Sequence, residues 1–182
     1  MKRPCPTRYS AQKYDTSSLE LERVATHLIA LLYADRELKY SYAKYGLDNL
    51  LSASEFIESF DVVQMTVQLA AGYRLIHWNA KTHAQTVAVG DLWPKASSET
   101  PVDLTVVEAC NKIIHATKLA FSTKKVRGAG AYYLEPLLLV QGTKGKDAWT
   151  AQIDMLLFCN EVLAPHNSLQ VMKPTSGVSG DA

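Results

Sequence analysis

Apolar residues return every three or four positions through the first part of this chain, and that period limits what it can fold into. Leu21, Val24, Ala25, Leu28, Leu31 and Leu32 share one face of a helix. Ser17 and Glu20 precede them as a capping box, in which each side chain satisfies a free backbone N–H at a helix start. Lys39 and Lys44 suit the negative end of the helix dipole, and Gly46 suits the residue just past it. A first helix is expected over 18–45. Ser52 and Glu55 form a second box, followed by Phe56, Phe60, Val63, Val67, Ala70 and Ala71, which predicts a helix over about 52–78. A short connection makes the two antiparallel neighbours. Gly72 would allow a close approach or a bend.

The pattern dissolves over 81–103, where 86–89 could form a short strand and Trp93-Pro94 and Thr100-Pro101 are breakers. A packed irregular segment anchored by Trp93 is expected there, with a lid or docking arm as the other reading. Thr105 and Glu108 cap a third helix expected over 106–121. Past Gly128-Ala129-Gly130 the period changes to two. The run 132–140 reads as a strand, and Pro136 inside it predicts an edge or bulged one. Trp149, Ala151 and Ile153 alternate with Thr150, Gln152 and Asp154, so the two runs should form a hairpin. Asp154 would cap a short last helix that Pro165 ends.

The expected fold is therefore α+β and mainly α: an antiparallel helical bundle with a C-terminal β-hairpin and a short terminal helix. Residues 1–16 read as a flexible lead-in, 17–164 as one domain and 165–182 as a disordered polar tail. A chain of 182 residues can bury a sizeable core without a metal or disulfide. The three cysteines, Cys5, Cys110 and Cys159, are too widely spaced for a disulfide framework or a metal pair. The basic start lacks a following apolar stretch and no run is long enough to span a bilayer, so a reducing, cytoplasmic setting without a membrane partner is expected.

Charge excludes a strongly polyanion-binding class. Lys plus Arg number 19 against 18 Asp plus Glu, a net charge of +1. Lys124, Lys125 and Arg127, with Lys144 and Lys146, are local basic spots that read first as solvated loop ends. His77 and His83 are six residues apart without an acidic or Cys partner nearby, so no metal and no cofactor is expected. His27 beside the first apolar stripe reads as structural. Tyr33, Tyr40, Tyr42 and Tyr45 crowd the end of the first helix, where they could stack bases but more often line an interface.

The third helix carries the candidate chemistry. Val106, Val107, Cys110, Ile113, Ile114 and Phe121 fall on its expected core face, and Glu108, Asn111, Lys112, His115 and Lys118 on the other. A carboxylate, an amide and an imidazole thus share a row. His titrates nearest neutral pH and can move a proton, while Asn can orient a phosphate or hydroxyl. The same residues are also what a solvated helix face carries.

The run Asn111-Lys112-Ile113-Ile114-His115-Ala116 resembles the motif helix of the HEPN superfamily, helical bundles that include metal-independent ribonucleases and their inactive relatives in toxin–antitoxin and phage-defence systems. Asn111 matches the motif's polar position and His115 its His, whereas Cys110 stands where the family has Arg. The resemblance implies a helical bundle and a homodimer. With the Arg absent, the leading expectation is a non-catalytic module that binds a protein partner or RNA through Lys112, Lys118, Arg74 and Arg127. One alternative is a metal-independent endoribonuclease using His115 with Glu108 or Asn111 and an Arg from elsewhere, such as Arg74 or Arg127. A structural scaffold without a site is the other.

Overall fold

A computed structural model describes residues 12–46, 49, 52, 61–77, 87–127 and 130–170. The order is α1 (Gln12–Tyr45), α2 (Val62–His77), β1 (Ala88–Trp93), β2 (Val102–Thr105), α3 (Val106–Ile114), β3 (Lys118–Lys125), β4 (Tyr132–Lys144), β5 (Asp147–Asp154) and α4 (Met155–Gln170). The strands form one antiparallel five-stranded sheet in the order β2-β1-β5-β4-β3. The expected mainly helical bundle is therefore wrong, and so is the all-helical architecture that the HEPN resemblance implies. The fold is a sheet with helices packed on it.

Three local readings account for the error. Residues 81–103 were expected to be irregular, yet β1 and β2 lie in this region and pair as Asp91↔Asp103 and Leu92↔Val102. The third helix stops at Ile114 instead of 121. Beyond it, Thr117 donates its backbone N–H to the Gln141 carbonyl at 2.8 Å, and β3 then pairs along β4. Leu119 and Phe121, two apart, pack on the core as strand residues do. Pro136 lies in β4, which is an interior strand between β5 and β3 rather than an edge. The ladder accommodates it because the β3–β4 register shifts between Phe121 and Thr123, opposite the stretch from Leu138 to Leu134. A proline lacks the ladder donor, and an irregularity removes the need for it.

Helix ends also differ. α1 begins at Gln12, so Ser17 and Glu20 lie within its span and not at its start. The α4 backbone continues through Pro165 to Gln170; a proline withdraws one helical donor without forbidding continuation. The Ser52–Glu55 box cannot be compared, since Glu55 lies outside the described residues, as do Phe56, Phe60 and His83. Thr105 does cap α3, accepting from the Glu108 N–H at 3.4 Å. Asp154 caps α4, its Oδ1 accepting from Leu156 and Leu157 at 2.9 and 3.0 Å. β4 and β5 form the hairpin, turned by Gly145 at φ +65°.

The core lies between sheet and helices. Leu92, Leu138, Val140, Trp149, Ala151 and Ile153 are buried, whereas their neighbours Asp91, Gln141 and Thr150 are exposed or half-buried. Leu21, Val24, Leu28 and Leu32 bring α1 into this core, and Leu69, Ala70 and Tyr73 bring α2. Gly72 sits where an added Cβ would lie 2.6 Å from Leu21 Cδ2, so it permits a close α1–α2 approach. Buried Asp35 joins α1 to the sheet, accepting from the Leu134 N–H at 2.8 Å across 99 residues of sequence. α3 links the two edges of the sheet, running from the end of β2 to the start of β3.

Candidate functional site

The polar row of α3 is not assembled into a site. Glu108 and Asn111 are half-buried, and His115 is exposed at the helix C-cap. Its backbone N–H donates to Asn111, but among the described residues no hydrogen bond or ion pair reaches its imidazole. Lys112 is committed elsewhere. Its Nζ lies 3.7 Å from Glu108 Oε1 and 4.6 Å from the centroid of the Trp149 ring, and its side chain is only 17% accessible. The buried residues of α3 are Val106, Ala109, Cys110 and Ile113, while Ile114 is exposed and Phe121 belongs to β3.

The other expected residues are dispersed. Lys118 opens β3 and Arg127 follows its end. β3 alone runs about 23 Å from Lys118 to Lys125, which sets Arg127 past the far end of the strand from His115. Arg74 on α2 is half-buried and close enough to α3 for its positive charge to lower the Cys110 thiol pKa against the larger effect of burial. Burial pushes Cys110 up to about 12, and likewise Cys159, where Asp154 adds to the rise. Both therefore carry neutral thiols at neutral pH and are poor nucleophiles. Among the described residues no three His, Cys, Asp or Glu side chains could hold a metal ion. Nor is any described helix long and apolar enough to cross a membrane.

A different set of side chains does converge. A groove of about 310 Å³ lies between α1 and the β3–β4 pair, lined by Leu32, Tyr33, Arg36, Lys124, Tyr133, Leu134, Glu135 and Pro136. Helical spacing supplies one wall, because Tyr33, Arg36 and Tyr40 stand at i, i+3 and i+7 on α1. The Arg36 guanidinium carbon is 5.7 Å from the ring centroids of both Tyr40 and Tyr133, and these two rings are 5.9 Å apart. Such contacts are cation–π interactions and hold the guanidinium against two aromatic surfaces. The opposite wall is fixed by polar contacts. Ser122 donates to Glu135 Oε2 at 3.1 Å, and Lys124 Nζ lies 3.7 Å from Glu135 Oε1. Below it, Val126, Ala131 and Tyr133 form a small buried cluster with Tyr42 of α1.

Beside the groove, β3 is the outer strand of the sheet. It pairs with β4 on one side, and on the other no strand lies among the described residues. Its sequence, Lys118-Leu119-Ala120-Phe121-Ser122-Thr123-Lys124-Lys125, contains three lysines and no acid. The opposite edge, β2, has four residues and sets Asp103 beside Asp91 of β1.

Sequence reasoning noted Tyr33, Tyr40, Lys124, Lys125 and Arg127 but missed Arg36, Tyr133 and Glu135. The spacing of Tyr33, Arg36 and Tyr40 was a signal that could have been used. Nothing in the sequence announces that residues near 36 and near 133 meet. Searches against protein-family models, curated proteins and solved structures find no match to this chain.

Proposed function

We propose that the protein is a non-catalytic binding module that captures an extended, acidic segment of a partner protein along β3. The outer edge of β3, unpaired among the described residues, carries the reading. An edge strand presents a row of backbone donors and acceptors, and an extended peptide can add to it as a further strand. At eight residues β3 is twice the length of β2. Its lysines favour a segment bearing Asp or Glu, since opposite charges across paired strands attract and like charges repel. The same lysines disfavour a second copy of this chain: antiparallel self-pairing about the strand centre would set Lys118 against Lys125 of that copy. Asp91 and Asp103 likewise turn an acidic segment away from the β2 edge.

A protein partner is favoured over RNA by the lining of the groove. Arg36 and Lys124 are opposed there by Glu135, and the whole chain is nearly neutral. Single-strand RNA sites combine aromatic platforms with a continuous positive groove. The imidazole of His115 is exposed and has no hydrogen-bond partner among the described residues, so it adds no catalytic pair to this reading.

The test uses an N-acetylated, C-amidated ten-residue peptide of alternating Glu and Thr, a Lys–Thr counterpart, and a ten-nucleotide single-stranded RNA, each fluorescently labelled. The acidic peptide is expected to bind, to weaken as salt rises, and to slow amide hydrogen exchange in β3. Lys118→Glu/Lys125→Glu is expected to reverse the preference between the two peptides. Mixed RNA incubated with the protein in EDTA should stay intact. Failure of the acidic peptide to bind, or tighter binding of the RNA without protection of β3, would overturn the reading. So would RNA cleavage that disappears in His115→Ala.

A further inference from the structure

We infer that Arg36 is the carboxylate receptor of this surface, and that the groove beside it takes one acidic side chain of the docked segment. This inference rests on the strand-addition reading and adds its specificity determinant. Strand addition draws affinity from backbone hydrogen bonds, whereas selectivity comes from pockets that accept particular side chains. The groove is in the right place for such a pocket. It is walled by Lys124 of the edge strand and by Tyr133, Leu134, Glu135 and Pro136 of the adjoining strand. α1, which supplies the remaining wall, packs on β4, one strand inside the edge.

Arg36 is prepared for an anion that the described residues do not supply. Arg23 has Glu20 at 2.9 Å, Lys112 has Glu108 and Lys124 has Glu135. Among the described residues no carboxylate lies within ion-pair distance of Arg36, whose contacts are the rings of Tyr40 and Tyr133. Rings that engage a guanidinium through its face leave the N–H groups at its edge available. Those N–H groups form a rigid fork that matches a carboxylate with two parallel hydrogen bonds. Holding the fork against two rings lowers the entropy lost when a ligand arrives.

Size and charge narrow the ligand further. At about 310 Å³ the groove is at the small end of ligand sites. That suits one side chain with its stem against Leu32, Leu134 and Pro136. Glu135, held by Ser122 and Lys124, forms a fixed negative wall. It repels a second anion and so favours a single carboxylate over a run of phosphates.

The experiment titrates the Glu–Thr peptide, and versions in which each Glu in turn becomes Gln, against wild type, Arg36→Lys, Arg36→Ala and Tyr40→Leu. Arg36→Lys retains the charge and loses the fork, so it separates bidentate recognition from general attraction. Affinity is expected to fall on the order of tenfold in Arg36→Lys and further in Arg36→Ala. One Glu→Gln position should weaken binding to wild type and have no effect on Arg36→Ala. Tyr40→Leu should fall between wild type and Arg36→Lys. Thermal melts establish that each variant is folded. If the Arg36 variants bind like wild type and β3 amides are still protected, the receptor assignment is wrong and strand addition stands. If wild type neither binds nor gains protection on β3, both fail.

Discussion

Gly142→Ala should destabilise the protein by about 1–2 kcal/mol, although alanine is ordinarily the better strand residue. Gly142 faces Trp149 across the β4–β5 hairpin. A Cβ built on Gly142 would meet Trp149 Cζ2 most closely, and would lie 2.7 Å from Cε2 and 2.9 Å from Cη2. Carbon atoms rest at about 3.5–4.0 Å, so the ring or the strand must move by about 1 Å or more. The ring has little room to retreat, being 4% exposed with Lys112 Nζ 4.6 Å from its centroid on α3. Overpacking of this kind costs about 1–3 kcal/mol. Alanine recovers roughly 0.5–1 kcal/mol of the backbone entropy that glycine loses. For a chain of this size the net loss corresponds to a fall in Tm of about 2–8 °C. Urea unfolding provides the assay, with the midpoint read at unchanged slope. The double variant Gly142→Ala/Trp149→Leu identifies the cause. Removal of the ring removes the clash, so the double variant should be more stable than the sum of the singles by about 1 kcal/mol. A Gly142→Ala protein as stable as wild type, or strict additivity in the cycle, would refute the reasoning.

Asp35→Leu leaves the Leu134 N–H without its buried acceptor and should cost about 1–3 kcal/mol; Asp35→Asn, which keeps an acceptor, should cost less, and equal urea midpoints for the two would contradict this. Burial raises the thiols of Cys110 and Cys159 to about 12 in the folded protein, against about 8.5 in an unfolded chain. Because the folded state favours the neutral thiols, their contribution is complete below the unfolded value and is lost as pH rises toward the folded one. Unfolding free energy should therefore fall above about pH 8.5, by up to about 1.4 kcal/mol per pH unit for each thiol, and Cys110→Ala/Cys159→Ala should flatten that slope. His115→Ala should shift stability by no more than about 0.5 kcal/mol, since the imidazole is exposed; a larger loss in thermal melts would mean that a covering partner exists.

The parts of the fold legible in the sequence were those decided by neighbours in the chain. The stripe of Leu21, Val24, Leu28 and Leu32 is buried as its spacing required. Thr105 and Asp154 cap helices, and the alternation of Trp149, Ala151 and Ile153 marks β5. Illegible were the features decided by pairing across the sheet. Lys118 to Phe121 continues a helical pattern on paper, yet its backbone gains a complete ladder on β4. Pro136 excludes a regular interior strand but not one with a register shift at that point. The short strand offered over 86–89 overlaps the start of β1, whereas the rest of β1 and β2 were hidden by the breakers Trp93-Pro94 and Thr100-Pro101. The groove suffered the same limit, since Arg36 and Tyr133 meet where α1 packs on β4 and Asp35 binds the backbone of Leu134.

The separation of the two chemically suggestive regions fits the proposed binding role. His115 lies three residues before Lys118, at the start of β3, whereas the groove takes Lys124 from near its end. The extended stretch from Lys118 to Lys124 is about 20 Å long. A general base must come within hydrogen-bond reach of its proton, about 2.6–3.2 Å, or act through a single water. A group held by Arg36 is therefore beyond the reach of His115, and the groove lining contains no histidine or cysteine. What remains there is a guanidinium held by aromatic rings, a fixed carboxylate wall and an adjoining strand edge that is unpaired among the described residues. These parts suit the proposed docking of an extended acidic segment.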